Sequence, residues 1–430
     1  MFLASSSVVS ESQPSLKKKD IVCLGHLKRV FPLLGRLHEV GCERDTSGNR
    51  QLFFNDYCKL VLLYIWNPAI DSIRKLQEAS GLDTVAKSLG IKRFSLGSFS
   101  EAPRVFDPDR LKPIIQELAA ELPVVEGGKD PRLAELKHAL TLVDGTVVAA
   151  LTRLARFAVG EEARYTTTRD GRPFYAWRLH TQLDLETFNP RRMDRTGARG
   201  SGDNREANVL RANLESGRCY VADGAFEDRS LFDDIVKAQS SYVIRLGEDA
   251  VFEVVVERLP SQAALDANIV RDAVVRLGPA DAKQMNHAVR LLVVQVTPRM
   301  RRTRSGKKQS DLILIATNLV ELPAELVALI YRYRYTVELF FRIFKQLLGM
   351  RHLLSQRQEG IDIQVRCTLI VCLLICLMTG KRPNKSNLNM VGWYLIGLVS
   401  EQELLNHLNK PDNTGVKLRA KAELWKKLGY

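Results

Sequence analysis

Tyr331-Arg332-Tyr333-Arg334-Tyr335-Thr336-Val337-Glu338-Leu339-Phe340-Phe341-Arg342-Ile343-Phe344-Lys345 is the stretch that decides how the rest of the chain is read. Its apolar residues recur at three- and four-residue spacing, which predicts a helix from Glu325 to about Leu348. At 100° per residue, Tyr331, Arg334, Glu338 and Lys345 fall within an arc of about 60°. Val337, Phe340, Phe341, Phe344 and Leu348 occupy the adjacent arc. One face therefore packs, and beside it runs a stripe of phenol, guanidinium, carboxylate and ammonium. Simple pairing of Glu338 with Arg342 across one turn is worth only about 0.3–0.5 kcal/mol. A metal-binding acid bracketed by phosphate-binding groups suits a phosphodiester better.

Upstream, two aspartates close apolar runs: Leu142-Val143-Asp144-Gly145-Thr146 and Tyr220-Val221-Ala222-Asp223-Gly224-Ala225-Phe226. Asp-Gly by itself is mostly a turn signal, and Asp170-Gly171 reads that way. Asp144 and Asp223 differ because each ends an apolar run rather than sitting between charged residues. Asp184, after another strand, is a rival for a carboxylate role.

The chain has 430 residues, enough for two or three domains, with 45% apolar and 26% charged residues, a globular composition. Lys and Arg number 63 against 49 Asp and Glu, leaving +14. A polyanion, nucleic acid or an anionic membrane surface, is the first partner to consider. The longest apolar run, Cys367 to Gly380, is shorter than the roughly 20 residues that cross a bilayer; it reads as a buried core helix, and no membrane is expected. The start lacks a secretory pattern. The seven cysteines are scattered without a CxxC pair, which argues against a zinc site or a disulfide framework and fits a reducing cytoplasm.

Residues 1–20 form a polar arm ending in Lys17-Lys18-Lys19, and helical periodicity follows to about residue 120. Within it, Thr84–Ile91 and Phe94–Phe99 outline either a helix-turn-helix, whose second helix enters a major groove, or a plain helical hairpin. Glu126–Pro131 is the best linker. Strands are predicted at Leu140–Leu151, Phe174–Leu185, Cys219–Ala222 and Ser241–Leu246, with helix within Ser201–Leu214 and at Ser230–Gln239: an α/β pattern. A strand-rich segment follows at Val251–Leu259, Ile269–Leu277, Ala288–Val296 and Leu312–Leu319. Between its last two strands lies a basic turn (Arg299, Arg301, Arg302, Arg304, Lys307, Lys308), which alone reads as a solvated hairpin tip. A second basic cluster, Lys417, Arg419, Lys421, Lys426 and Lys427, surrounds Trp425.

The spacing Tyr331-x2-Arg334-x3-Glu338-x6-Lys345 resembles, without a gap, the YREK signature of transposases of the insertion-sequence-four family, which are DDE transposases. The continuation Leu231-Phe232, Ile235 and Tyr242–Leu246 is also similar to that family, and the likeness covers roughly Leu140 to Leu353. It implies an α/β ribonuclease H-like catalytic core with a β-rich insertion, flanked by helical N- and C-terminal regions. The implied domains are a DNA-binding region at 1–130, a catalytic domain at 131–350 with its insertion at about 247–320, and a helical region at 351–430. Asp144, Asp223 and Glu338 become catalytic metal ligands, with gaps of 79 and 115 residues between them. They would hold two Mg²⁺ ions, with Mn²⁺ as a substitute. Tyr331, Arg334 and Lys345 become DNA-binding residues.

The resemblance further implies cleavage at element ends and joining to target double-stranded DNA, with a homodimer holding two ends in a synaptic complex. Arg191, Arg192, Arg195, Arg199 and the basic turn would follow the DNA backbone, giving salt-dependent affinity. The expected location is cytoplasmic and DNA-associated. No Trp occurs between Trp177 and Trp393, so an aromatic that holds a flipped base in some relatives would here be a Tyr or Phe, or absent. Two alternatives stand beside this reading: a DNA-binding protein with an idle site, and a structure-selective nuclease on the same fold.

Overall fold

A computed structural model describes residues 29–40, 43–46, 48–67, 69–124, 130–150, 164–167, 173–197, 202–279, 285–296, 311–349, 353–355, 357–381, 385–395 and 397–410. The chain divides into two compact units, 1–106 with 121–126 and 370–430, and 107–120 with 127–369. The arginine-rich turn at 299–308, Arg199, Asp170 and the C-terminal basic cluster lie outside the described residues.

The first unit is helical: α1 (Phe31–Gly35), α2 (Phe54–Trp66), α3 (Ile73–Ser80), α4 (Asp83–Leu89) and α5 (Leu96–Glu101). Aromatic side chains at helical spacing build its core. Phe54 stacks on Phe106 with centroids 4.7 Å apart, and Tyr57 meets Phe99 at 4.6 Å. Ser72 and Ser95 cap α3 and α5 by accepting from the backbone N–H three residues on, satisfying donors that a helix start leaves open. Gly90, with φ 62°, ends α4 in the left-handed conformation that glycine takes without strain. The predicted helix–Gly–helix outline at 84–99 is therefore present, with Phe99 of its second helix wholly buried.

The second unit opens with α6 (Leu111–Ala120) and continues β1 (Ala139–Ala150), β2 (Arg164–Thr167), β3 (Pro173–Asp184), β4 (Pro190–Gly197), α7 (Glu206–Arg211), β5 (Arg218–Ala222), α8 (Arg229–Lys237) and β6 (Ser241–Leu246). Then come β7 (Phe252–Arg258), α9 (Gln262–Asp266), β8 (Ile269–Leu277), β9 (Val289–Gln295), β10 (Leu312–Thr317), α10 (Ala324–Tyr333) and α11 (Tyr335–Gly349). The ten strands among the described residues join one mixed sheet, ordered β2-β3-β1-β5-β6-β10-β9-β8-β7, with β4 also on β3. β1, β5 and β6 run parallel, and the other pairings are antiparallel. The strand-rich segment after Gly247 is thus no separate sheet: β10 pairs with β6 and continues the same one.

Alternation along the strands sends Val143, Tyr220, Ala222 and Ile244 to one face, where they pack with Leu210, Leu231, Phe232 and Ile235 of α7 and α8. Leu142, Val221 and Val243 point to the other face and are equally buried. There α10 lies over β5 and β6 while α11 lies over β1.

Two expectations need correction. The helix predicted from Glu325 to about Leu348 is two helices, broken at Arg334. The Arg334 N–H reaches Tyr331 O and the Val337 N–H reaches Arg334 O, three-residue bonds that tighten the turn. The apolar run at 367–380 belongs to a longer helix, α12 (Gln358–Thr379), whose 22 residues are long and apolar enough to cross a membrane. Most of that stretch is buried inside the protein instead. Cys367, Cys372 and Cys376 are buried in it as small hydrophobes. Helices α13 (Lys385–Leu395) and α14 (Glu401–Asn409) complete the first unit.

Candidate active site

The register of β1 on β5 positions the two aspartates. Leu142 is paired with Val221 in a parallel ladder, so Asp144 and Asp223, each two residues further on, stand side by side on the face beneath α10 and α11. Asp144 lies within β1, and its carboxylate accepts from the Gly145 N–H at 2.7 Å. Asp-Gly is not a turn here. A Cβ on Gly145 would come within 2.9 Å of Glu206 Oε1, and Glu206 is ion-paired to Arg178. Glycine is the residue that leaves room for that pair. Asp223 closes β5 in extended conformation and caps a single turn, accepting from the Ala225 N–H at 2.9 Å.

From above, Arg334 reaches both carboxylate elements. Its Nη2 donates to Glu338 Oε1 at 2.6 Å, and its Nη1 lies 3.9 Å from Asp144 Oδ2. The same guanidinium sits 5.9 Å from the centroid of the Tyr331 ring. Glu338 pairs with Arg334 rather than Arg342, which instead donates to the Tyr335 hydroxyl at 3.2 Å.

The electrostatics tie the residues together. Burial pushes the Asp144 carboxyl up to about 6; the charge of Asp223 adds to the rise and Glu338 adds less, while the Gly145 bond and Arg334 oppose it. Burial likewise raises the Tyr331 phenol, with Arg334 and Arg245 pulling it down and Asp223 pushing it up. Partial desolvation lowers the Lys345 ammonium, and the Asp144 carboxylate acts against that shift. The site therefore brings Tyr331, Arg334 and Lys345 within electrostatic reach of the aspartates.

Among the described residues no three acidic, histidine or cysteine side chains already surround a cation position; Arg334 stands between Asp144 and Glu338. The donor set nonetheless suits a hard divalent ion, since it offers carboxylate oxygens without thiolate or imidazole. Burial and, second to it, the charge of Asp223 make ionised Asp144 costly, a cost that such an ion would relieve.

Asp184 is engaged elsewhere. It pairs across to Thr141, three positions along β1 from Asp144, accepts from the Thr187 N–H and hydroxyl at 3.0 Å each, and binds Arg218 at 3.2 Å. Arg191, Arg192 and Arg195 line a cleft of about 430 Å³ with Lys112 and Arg366. There Arg195 is bound to Asp362 at 2.7 Å and Arg192 to Asp194 at 2.8 Å. Sequence reasoning did not single out Arg245, although an arginine in the otherwise apolar strand Ser241–Leu246 is a signal that something nearby needs a cation.

A mixed α/β domain with two aspartates on adjacent parallel strands, and a glutamate brought over them by a helix, defines the class. Residues 135–375 match the family model of the transposase DDE domain, and the chain belongs to that family. Over 200 residues it is 26% identical to the protein named "Putative transposase y4zB" from Sinorhizobium fredii (strain NBRC 101917 / NGR234), covering 46% of this chain and 52% of that one. The chain thus spans about half the length of this curated relative.

Proposed function

We propose that the chain is an active transposase of the insertion-sequence-four family, built on a ribonuclease H-like core. It binds the ends of an insertion sequence, cleaves them and joins them to target DNA by Mg²⁺-dependent hydrolysis and transesterification. The observation that carries this reading is the shared register of Asp144 and Asp223, with Arg334 linking the first of them to Glu338. The strand order β4-β3-β1-β5-β6 and the Tyr331–Lys345 spacing support it.

Asp144, Asp223 and Glu338 are the residues that would hold two divalent ions. Bound there, the ions would activate a water or 3′-hydroxyl and take up charge on the leaving oxygen. Arg334 grips the phosphate beside the scissile bond through its planar fork, and Lys345 does so as a point charge. Tyr331 donates to or stacks near the same strand. One phosphodiester is exchanged for another, so no high-energy cofactor is required. Arg191, Arg192 and Arg195 follow the DNA backbone. The division into a DNA-binding region at 1–130, a catalytic domain at 131–350 and a helical region at 351–430, and a homodimer that pairs two ends, belong to the same proposal.

Purified protein, Mg²⁺ and a labelled element end provide the test. Nicking that yields a 3′-hydroxyl, followed by joining to target, is the expected result. Nicking without joining would indicate a nuclease, and binding without nicking an idle site.

A further inference from the structure

Thr181 lies directly opposite Asp144 in the antiparallel β1–β3 ladder, and opposed residues on such strands point to the same face with Cβ atoms about 5 Å apart. The residue is fully buried. Its hydroxyl has no hydrogen-bond partner among the described residues, which is uncommon for a buried polar group. On the far side, Thr181 is paired with Met193 of β4, whose thioether is only a weak acceptor. The hydroxyl makes no bond to Asp144 either, although the group opposite it across the ladder is a carboxylate.

We propose that Thr181 is a positioning residue for Asp144: when the carboxylate turns to hold a metal ion, the Thr181 hydroxyl donates to it and fixes its rotation. The inference rests on the metal-site reading given above. The Gly145 N–H holds Oδ1 at 2.7 Å from along the strand. A second donor from the neighbouring strand would determine which lone pairs face outward toward an ion. It also supplies the partner that the buried hydroxyl lacks. Groups that orient a ligand carboxylate in this way typically change metal affinity about 10–100-fold when removed.

The test is Mn²⁺ binding to the full chain without DNA, followed by the electron paramagnetic resonance signal of free Mn²⁺, with a thermal melt of each metal-free variant. Thr181→Val keeps the branched shape that a strand favours, so its melt is expected to match or exceed wild type while Mn²⁺ affinity falls about tenfold. Thr181→Ser restores the hydroxyl and is expected to restore the affinity. Asp144→Asn is run alongside. Wild-type affinity in Thr181→Val with loss in Asp144→Asn overturns the role of Thr181 and leaves the metal site standing. Wild-type affinity in both overturns the site reading and this inference together. A Thr181→Ser protein as weak as Thr181→Val shows a packing effect and also overturns the proposal.

Discussion

Nη2 of Arg334 donates to Oε1 of Glu338 at 2.6 Å across one helical turn, while Nη1 of the same guanidinium lies 3.9 Å from Asp144 Oδ2. One cation thus serves two acids that come from different ends of the domain. The break between α10 and α11 falls at Arg334, so the side chain leaves the helix where its backbone turns tightly. The guanidinium is the counter-charge that lets Asp144 and Glu338 approach each other. Under the proposed function, the same fork would turn to a phosphate once ions and DNA are bound.

Arg334→Lys tests that exchange of partners. Lysine keeps the charge and loses the planar pair of donors that spans two acceptors. Cleavage is expected to fall about 10–100-fold, as when a group that fixes a metal ligand is lost, with end binding nearly unchanged. Lys345→Ala is expected to weaken cleavage and to reduce the slope of log affinity against log salt by about one phosphate contact. Gel-shift titrations at several salt concentrations, beside single-turnover nicking, separate the two behaviours. An unchanged salt slope in Lys345→Ala would remove its phosphate role.

Asp144→Ala, Asp223→Ala and Glu338→Ala are each expected to lower nicking by at least about 10³-fold, because each removes a ligand from ions that supply several kcal/mol of charge stabilisation. DNA binding is expected to persist. Retained nicking in Asp223→Ala would transfer the second position to another acid.

Much of this arrangement is legible in the sequence. Ile269–Leu277 and Ser241–Leu246 were delimited by their own apolar patterns and match β8 and β6 end to end. The spacing from Tyr331 to Lys345 draws one polar stripe on a continuous helix, and the break at Arg334 divides it, with Tyr331 on α10 and Glu338 and Lys345 on α11. What stayed hidden depends on partners remote in the chain. Strand β4, Pro-Arg-Arg-Met-Asp-Arg-Thr-Gly, has no apolar alternation and exists through its ladder to β3. The break at Arg334 carries no Gly or Pro; Tyr333, at the end of α10, is tied by its hydroxyl to Asp130 at 2.5 Å, a tether 203 residues away in sequence. Thr181 looks like any strand threonine until the register sets it opposite Asp144.

The raised Asp144 carboxyl makes a stability prediction for the metal-free protein. The unfolded side chain releases its proton near 3.8 and the folded one near 6. Between those values the folded state binds more protons, so stability from this group falls as pH rises and is lost above about 6. The cost of ionising it in the fold is on the order of 3 kcal/mol. Asp144→Asn is therefore expected to raise the Tm at pH 7.5 and to leave it close to wild type at pH 4, while cleavage disappears. The same proton competes with a metal ion, so the Mg²⁺ concentration needed for half-maximal nicking is expected to rise as pH falls below about 6. A variant that melts identically to wild type at pH 7.5 would show that Asp144 is not ionised at a cost.

Arg290 ties the strands beyond β6 to the segment that precedes α10. It is almost wholly buried and forms a two-bonded pair with Asp272 at 2.8 and 2.7 Å. It also donates to the carbonyls of Leu319 at 3.2 Å, Val320 at 3.1 Å and Leu322. Arg258 adds a bond to Val320 O at 2.6 Å. Strands β7 and β9 thereby hold the segment that launches α10, and with it Arg334 and Glu338. Arg290→Met leaves Asp272 buried without its partner and is expected to cost about 3–5 kcal/mol. Adding Asp272→Leu removes the stranded charge and is expected to recover most of that stability, but not the carbonyl bonds. If those bonds place Glu338, the double variant melts near wild type yet nicks DNA more slowly. Wild-type nicking in the stable double variant would reduce Arg290 to a stabilising role in the sheet.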